Sequence, residues 1–213
     1  MSELIPSMEG GSGITAVLLA AGMSRRLAYP KQTLIYEGQS LIRRQLQILQ
    51  ASPVDRVYVV TGAYRQACVA EIEDLPDWHE IFHPDFQLGM GSSIKAAVHH
   101  IVNHLIVDRD QLRGIMFVVC DQIHLTSQHL NHMIKMFQLN CRENVASSYG
   151  KQLGIPAIFP RERFADLLRI NDQQGAKVIL KNFGCVCVDF PGGEVDIDRP
   201  EDILSTGAKT QGS

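Results

Sequence analysis

Apolar runs of two kinds alternate along the chain, and their lengths and spacing predict most of its elements. Residues 14–20 are almost wholly apolar and flanked by glycines, which predicts a strand buried on both faces of a parallel sheet. Residues 114–120 (GIMFVVC) have the same character and end on Asp121. Residues 54–61 predict another strand, and residues 80–83, 145–149, 155–159 and 185–190 predict shorter ones. Between them, apolar positions recur at helical spacing over residues 40–50, with Leu41, Leu46 and Leu49 on one face. Residues 64–75, 92–107, 126–139, 161–170 and 175–183 read the same way. Ser92 or Ser93 and Thr126 are the expected N-caps, since a hydroxyl there can accept from a free N–H of the first turn. Pro200 fits the first turn of a last helix, where its missing N–H costs nothing.

Strands alternating with helices imply an α/β fold with a mostly parallel sheet covered on both faces. The expected organisation is a loose Gly- and Ser-containing tail over residues 1–13, one domain over residues 14–205, and a short tail over residues 206–213. With 213 residues the chain buries roughly 70–75% of its unfolded surface, so it needs no disulfide or metal to fold. A net charge of −3, with both signs spread along the chain, argues against a nucleic-acid surface while leaving room for local phosphate binding. No apolar run approaches the ~20 residues of a membrane span, and the first residues lack a secretory pattern. The five cysteines lack zinc spacing and are expected as reduced thiols of a cytoplasmic protein, with Cys185 and Cys187 on one face of a strand.

In open α/β sheets ligands bind beyond the carboxyl ends of the strands, so the polar residues just after strands carry the chemistry. Two segments qualify. The first is the loop from Leu19 through Ala20, Ala21 and Gly22 to Arg26 and Lys31. Its small residues let backbone N–H groups come close to a ligand, and its two cations suit a triphosphate. The second is Asp121, mounted on the end of a buried strand as a precise metal ligand should be. Neither a Walker A loop nor a full dinucleotide fingerprint occurs. Gly89-Met90-Gly91-Ser92-Ser93 opens a helix and suits an anion or a ribose. His100 and His104 have the spacing of a zinc pair but lack the H-E-x-x-H glutamate, His129 and His132 read as exposed helix residues, and Cys120 as a buried small hydrophobe.

The blocks LLAAGMSRRLAYPKQTL, GMGSSI, VVCDQ, GIPAIF, NDQQGAK and DIDRPEDI occur in an order that resembles the molybdenum cofactor cytidylyltransferases. The resemblance spans about residues 14–205. It implies a Rossmann-like nucleotidyltransferase fold in which Arg26 and Lys31 bind the triphosphate and Leu19 to Gly22 with Gly91, Ser92 and Ser93 contact nucleotide. It also implies Asp121 and Asp198 as carboxylates for Mg²⁺, and Gly154, Pro156, Asp172, Gly175 and Lys177 on the acceptor side. The implied reaction transfers CMP from CTP to a molybdopterin-type cofactor and releases pyrophosphate. Leu-Ala-Ala-Gly resembles the cytidine-using type, and Leu-Ala-Gly-Gly would resemble the guanosine-using type. GTP, or a sugar or polyol phosphate acceptor, stands as the alternative within the same reaction class. A carrier that delivers the cofactor to a molybdenum hydroxylase stands as the alternative outside it. The chain departs from the family at Leu27-Ala28, Ile123 and His83.

Overall fold

The structure, a computed structural model, describes residues 11–27, 29–104, 111–150, 152–197 and 200–210. In chain order the elements are β1 (Ile14–Leu19), the two-residue strands β2 (Ile35–Tyr36) and β3 (Gln39–Ser40), α1 (Leu41–Gln50), β4 (Arg56–Thr61) and α2 (Arg65–Ala70). Next come β5 (His79–Phe82), α3 (Met90–His104), β6 (Gly114–Val119), α4 (Ser127–Leu139), β7 (Val145–Tyr149) and β8 (Gln152–Pro160). The chain closes with α5 (Phe164–Leu167), α6 (Lys177–Phe183), β9 (Val186–Asp189) and α7 (Pro200–Thr206). Seven strands form one sheet in the order β5-β4-β1-β6-β8-β7-β9. Only β8 runs antiparallel to its neighbours, β6 and β7.

The apolar runs behave as their composition requires. Along β1, Ile14, Ala16 and Leu18 face one core while Val17 and Leu19 face the other. In β6, Met116 and Val118 face the first core, and Ile115 and Phe117 the second. Side chains of a strand alternate between faces, so a run apolar at every position demands a cover on each. Leu41, Leu46 and Leu49 of α1, with Leu130, Met133 and Phe137 of α4, supply one cover. Ile94, Ala97, Val98 and Ile101 of α3, with Leu167 and Leu180, supply the other. Fully burying each such Leu or Ile stabilises the fold by roughly 1.5–3 kcal/mol.

Some boundaries differ from the pattern. Helix α2 ends at Ala70, short of the expected residue 75, and gives way to a turn over residues 71–74. Residues 161–170 divide into a 3₁₀ turn and the four-residue α5. Helix α3 starts at Met90, so Ser92 and Ser93 lie inside its first turn and are not its caps. Thr126 does cap α4, accepting from the His129 N–H at 3.2 Å. His129 itself is half-buried, against the exposed position expected of it. Its Nε2 meets Ser147 Oγ at 2.8 Å, its ring stacks on Phe190, and burial pulls its pKa down to about 4. The His100 and His104 rings stack face to face, 4.1 Å apart. The Cys185 and Cys187 thiols lie 3.9 Å apart, as same-face neighbours should. Among the described residues no helix is long and apolar enough to cross a membrane.

Candidate active site

The sheet order diverges between β1 and β6: the chain leaves β1 for β4 on one side and leaves β6 for β7 on the other. At such a switch point the two loops part and open a crevice at the carboxyl edge. The loop after β1 and Asp121 after β6 border that crevice, and they meet there. Lys31 Nζ lies 2.5 Å from Asp121 Oδ2, with only 20% and 13% of the two side chains exposed.

A cavity of about 380 Å³ lies over the first loop, lined by Leu19, Ala21, Gly22, Arg26, Lys31, Ser93 and Asp121 among others. Ala20 lies beneath this wall, with its N–H on the Val60 carbonyl at 2.9 Å. Gly22 is instructive. A Cβ added to it would meet no protein atom within 4 Å, so neither packing nor backbone angle demands glycine there. What the missing side chain leaves open is the approach of a ligand to the backbone.

A second cavity of about 550 Å³ adjoins the first, lined by Tyr149, Gln152, Gly154, Gly175, Lys177 and Asp196 among others. Lys31, Met90, Val119 and Asp121 line both cavities. Burial first, and then the charges of Asp196 and Asp121, push the Tyr149 phenol above its ordinary pKa, and all three residues line this cavity. Lys177 donates to Gln152 Oε1 at 3.0 Å.

The remaining expected residues are placed differently. Gly91 donates its N–H to the Asp172 carbonyl at 2.8 Å and packs against the turn over residues 171–174. Ser92 donates to the Gly89 carbonyl at 2.7 Å and meets His83 Nε2 at 2.9 Å. His83, one of the three departures, is thus a buried partner of the α3 start, and burial lowers its pKa. Ile123, another departure, is a buried core residue. Asp172 pairs with Lys95 at 2.5 Å instead of facing the second cavity. Pro156 stands behind the cavity wall, and its carbonyl accepts from Ser147 Oγ at 2.9 Å. Asp198 and Ala28 lie outside the described residues.

The close packing at Gly91 yields a test of stability. A Cβ there would sit 2.1 Å from the Asn171 carbonyl oxygen and 2.6 Å from that of Gln174, both rigid backbone atoms. Gly91→Ala should therefore lower stability by about 1–3 kcal/mol, the usual cost of overpacking, read as a fall in Tm. An unchanged melting curve would mean that the 171–174 turn yields freely.

Sequence reasoning passed over Gln32, Tyr149 and Asp196. Gln32 is the neighbour of Lys31 and is 1% exposed, its amide Nε2 donating to the carbonyls of Ala20 and Gly22, each at 2.9 Å. Asp196 precedes Asp198 by two residues in DIDRP, and spacing alone does not choose between them.

A crevice at the switch point, cations on a small-residue loop and a carboxylate beyond the neighbouring strand suit an enzyme that works on a nucleoside triphosphate. Residues 16–186 match the MobA-like NTP transferase domain, and the chain belongs to that family. It is 26% identical over 201 residues to the purine catabolism protein PucB of Bacillus subtilis (strain 168), covering 89% of this chain and 93% of that one. Rv0371c of Mycobacterium tuberculosis H37Rv, solved in complex with manganese, superposes with a TM-score of 0.72 at 23% identity, over 91% of this chain and 97% of its own. Molybdopterin-guanine dinucleotide biosynthesis protein A of Archaeoglobus fulgidus superposes with a TM-score of 0.65 at 16% identity, over 90% and 96% of the two chains. At these identities the two structures share the fold.

Proposed function

We propose that this nucleotidyltransferase transfers CMP from CTP to a phosphate-bearing, molybdopterin-type acceptor with release of pyrophosphate. The observation that carries the reading is the pair of adjoining cavities with Lys31 and Asp121 in their common wall. A transfer between two polyanions requires both to be held against one charged junction, and a carrier of one cofactor requires no second cavity. The sequence blocks support a molybdopterin-type acceptor, and the name of the Archaeoglobus fulgidus neighbour agrees with that reading.

The first cavity takes the nucleotide. Arg26 and Lys31 neutralise its phosphates, and Gly22 lets them approach the backbone. The second cavity takes the acceptor, with Tyr149 as a flat apolar wall and Lys177 and Gln152 as polar contacts. The acceptor phosphate then attacks the α-phosphorus, and pyrophosphate leaves on the Arg26 side. Such a step needs positioning and charge neutralisation and little covalent work by the protein. The donors at the junction are hard oxygens, which fits Mg²⁺, a cation that takes one or two carboxylates and completes its shell with phosphate and water. Asp121, with Asp198 beyond the described residues, would hold it, and there it would offset charge developing on the transferred phosphoryl group. Removing Arg26 should cost on the order of 10²–10³ in kcat, as a lost transition-state charge contact does elsewhere.

Cytidine preference rests on Ala21. It is 3% exposed, belongs to the lining of the first cavity, and its carbonyl accepts from the Ala63 N–H at 3.3 Å. A glycine there would take one methyl away from a lining residue, and we read that as room toward a purine. Calorimetric titration with CTP and GTP in the presence of Mg²⁺ should show CTP binding more tightly, with Ala21→Gly narrowing the gap. Tighter GTP binding by the wild type removes the cytidine reading and leaves the reaction class standing.

A further inference from the structure

We propose that Gln32 is a positioning residue of the nucleotide loop, one that gives a glycine-poor segment the anion-binding shape that glycines give elsewhere. The inference rests on the assignment of the first cavity to a nucleotide.

The loop from Ala20 to Lys31 contains a single glycine, Gly22. A phosphate-binding loop must turn its carbonyl oxygens away from the anion and its N–H groups toward it. The Gln32 amide, buried beneath the loop, holds two of those carbonyls, Ala20 and Gly22, at 2.9 Å each. A trans peptide is planar, so a carbonyl fixed in one direction sends the N–H of the next residue in the other. The next residues are Ala21 and Met23, and both line the first cavity. Gln32, which itself borders this cavity, therefore turns two N–H donors toward the space the phosphates would fill.

The other end of the same side chain is tied into the loop as well. Gln32 Oε1 lies 3.4 Å from Ser24 Oγ, and that hydroxyl accepts the Lys31 N–H at 3.0 Å. Ser24 has φ +46°, in the left-handed region that a residue with a Cβ rarely enters. Its carbonyl also accepts from the Leu27 N–H at 2.8 Å. Such a conformation persists only where neighbours over-determine it. The same contacts set the backbone of Lys31, whose ammonium reaches Asp121. One buried amide thus fixes the direction of the loop donors and the register of the loop cation.

Two near-isosteric variants test this. Gln32→Met removes the donor and keeps the volume. Gln32→Glu keeps the shape but, when ionised, points a carboxylate at two carbonyl oxygens. Calorimetry with CTP and Mg²⁺, beside melting curves, should show Gln32→Met folded and binding nucleotide about 10- to 100-fold more weakly. Gln32→Glu should be weaker still at pH 8, because a buried carboxylate among carbonyls is opposed by both desolvation and repulsion. Those same forces raise its pKa, so as pH falls through that value the protonated acid regains one O–H donor. The ratio of variant to wild-type affinity should then climb by about tenfold, while that of Gln32→Met stays flat. This pH-dependent recovery is a readout that a space-filling role would not produce. A folded Gln32→Met with wild-type affinity, or a Gln32→Glu whose ratio does not change with pH, would overturn the assignment. A wild type that binds no nucleotide at all removes the parent reading first, and is recognised before any variant is made.

Discussion

Lys31→Met should bind manganese more tightly than the wild type in the absence of nucleotide, and at the same time lose nucleotidyl transfer. The two effects have opposite signs because the ammonium of Lys31 occupies Asp121 Oδ2, the oxygen a cation would take. Two unit charges 4 Å apart near a protein surface attract by about 4 kcal/mol, most of it offset by lost hydration and side-chain entropy. A divalent cation arriving without nucleotide must displace that ammonium. With a triphosphate present, the lysine has another anion to go to. Removing the charge should lower the manganese Kd by about tenfold, equivalent to about 1.4 kcal/mol. Turnover should fall by on the order of 10²–10³, because a charge that neutralises the phosphates is gone. Electron paramagnetic resonance of free manganese and a pyrophosphate assay read the two quantities separately. Manganese binding that weakens or stays the same would show that Lys31 and the metal do not compete.

Asp121→Asn is the complementary change and should have the larger effect on catalysis. The amide keeps the size of the carboxylate and one oxygen but removes the charge. Pyrophosphate release should fall by at least 10²–10³, on the order of the loss seen when one charge-stabilising donor is deleted. Excess Mg²⁺ should restore only part of it, since a neutral amide oxygen is a weaker ligand for a hard cation. The fold should survive, because Asp121 lies just after β6 at the crevice and the apolar strand behind it is unchanged. Undiminished turnover in a variant that melts like the wild type would remove Asp121 from the mechanism.

Much of this site is legible before any coordinates. Strands such as residues 14–20 and 114–120 announce themselves because a strand buried on both faces has no polar alternation, and the loops at their carboxyl ends lie at the ligand edge. That logic brings Arg26, Lys31 and Asp121 to one cavity. It fails where a long-range contact decides. β8 contains Pro156 and Pro160, which argue locally against a strand, and only residues 155–159 read as one. Pro156 is tolerated because the β7–β8 register shifts at Ala146 and Ser147, so its missing N–H falls in a bulge. Gly91 and Ser92 look like ligand contacts from their order in the chain, yet their partners, Asp172 and His83, come from segments that spacing does not connect. Gln32 escapes for the converse reason: a glutamine beside a lysine carries no pattern, and its role lies in two carbonyls ten and twelve residues away.

The segment that packs on Gly91 reaches into both cavities: Gln173 lines the first, Gly175 and Lys177 the second. It is fastened to the start of α3 by the Lys95–Asp172 pair, the Gly91–Asp172 bond and a Gln173–Leu88 bond. A party wall of this kind cannot be moved from one room alone. Were the second cavity to take an acceptor and the first a nucleotide, a displacement imposed on Lys177 would reach the residues over the nucleotide, and by thermodynamic reciprocity the nucleotide would act back on the acceptor to the same extent. On the proposed assignment of the two cavities the affinities would be linked quantities, and a change of acceptor preference would carry with it a change in the apparent affinity for the nucleotide.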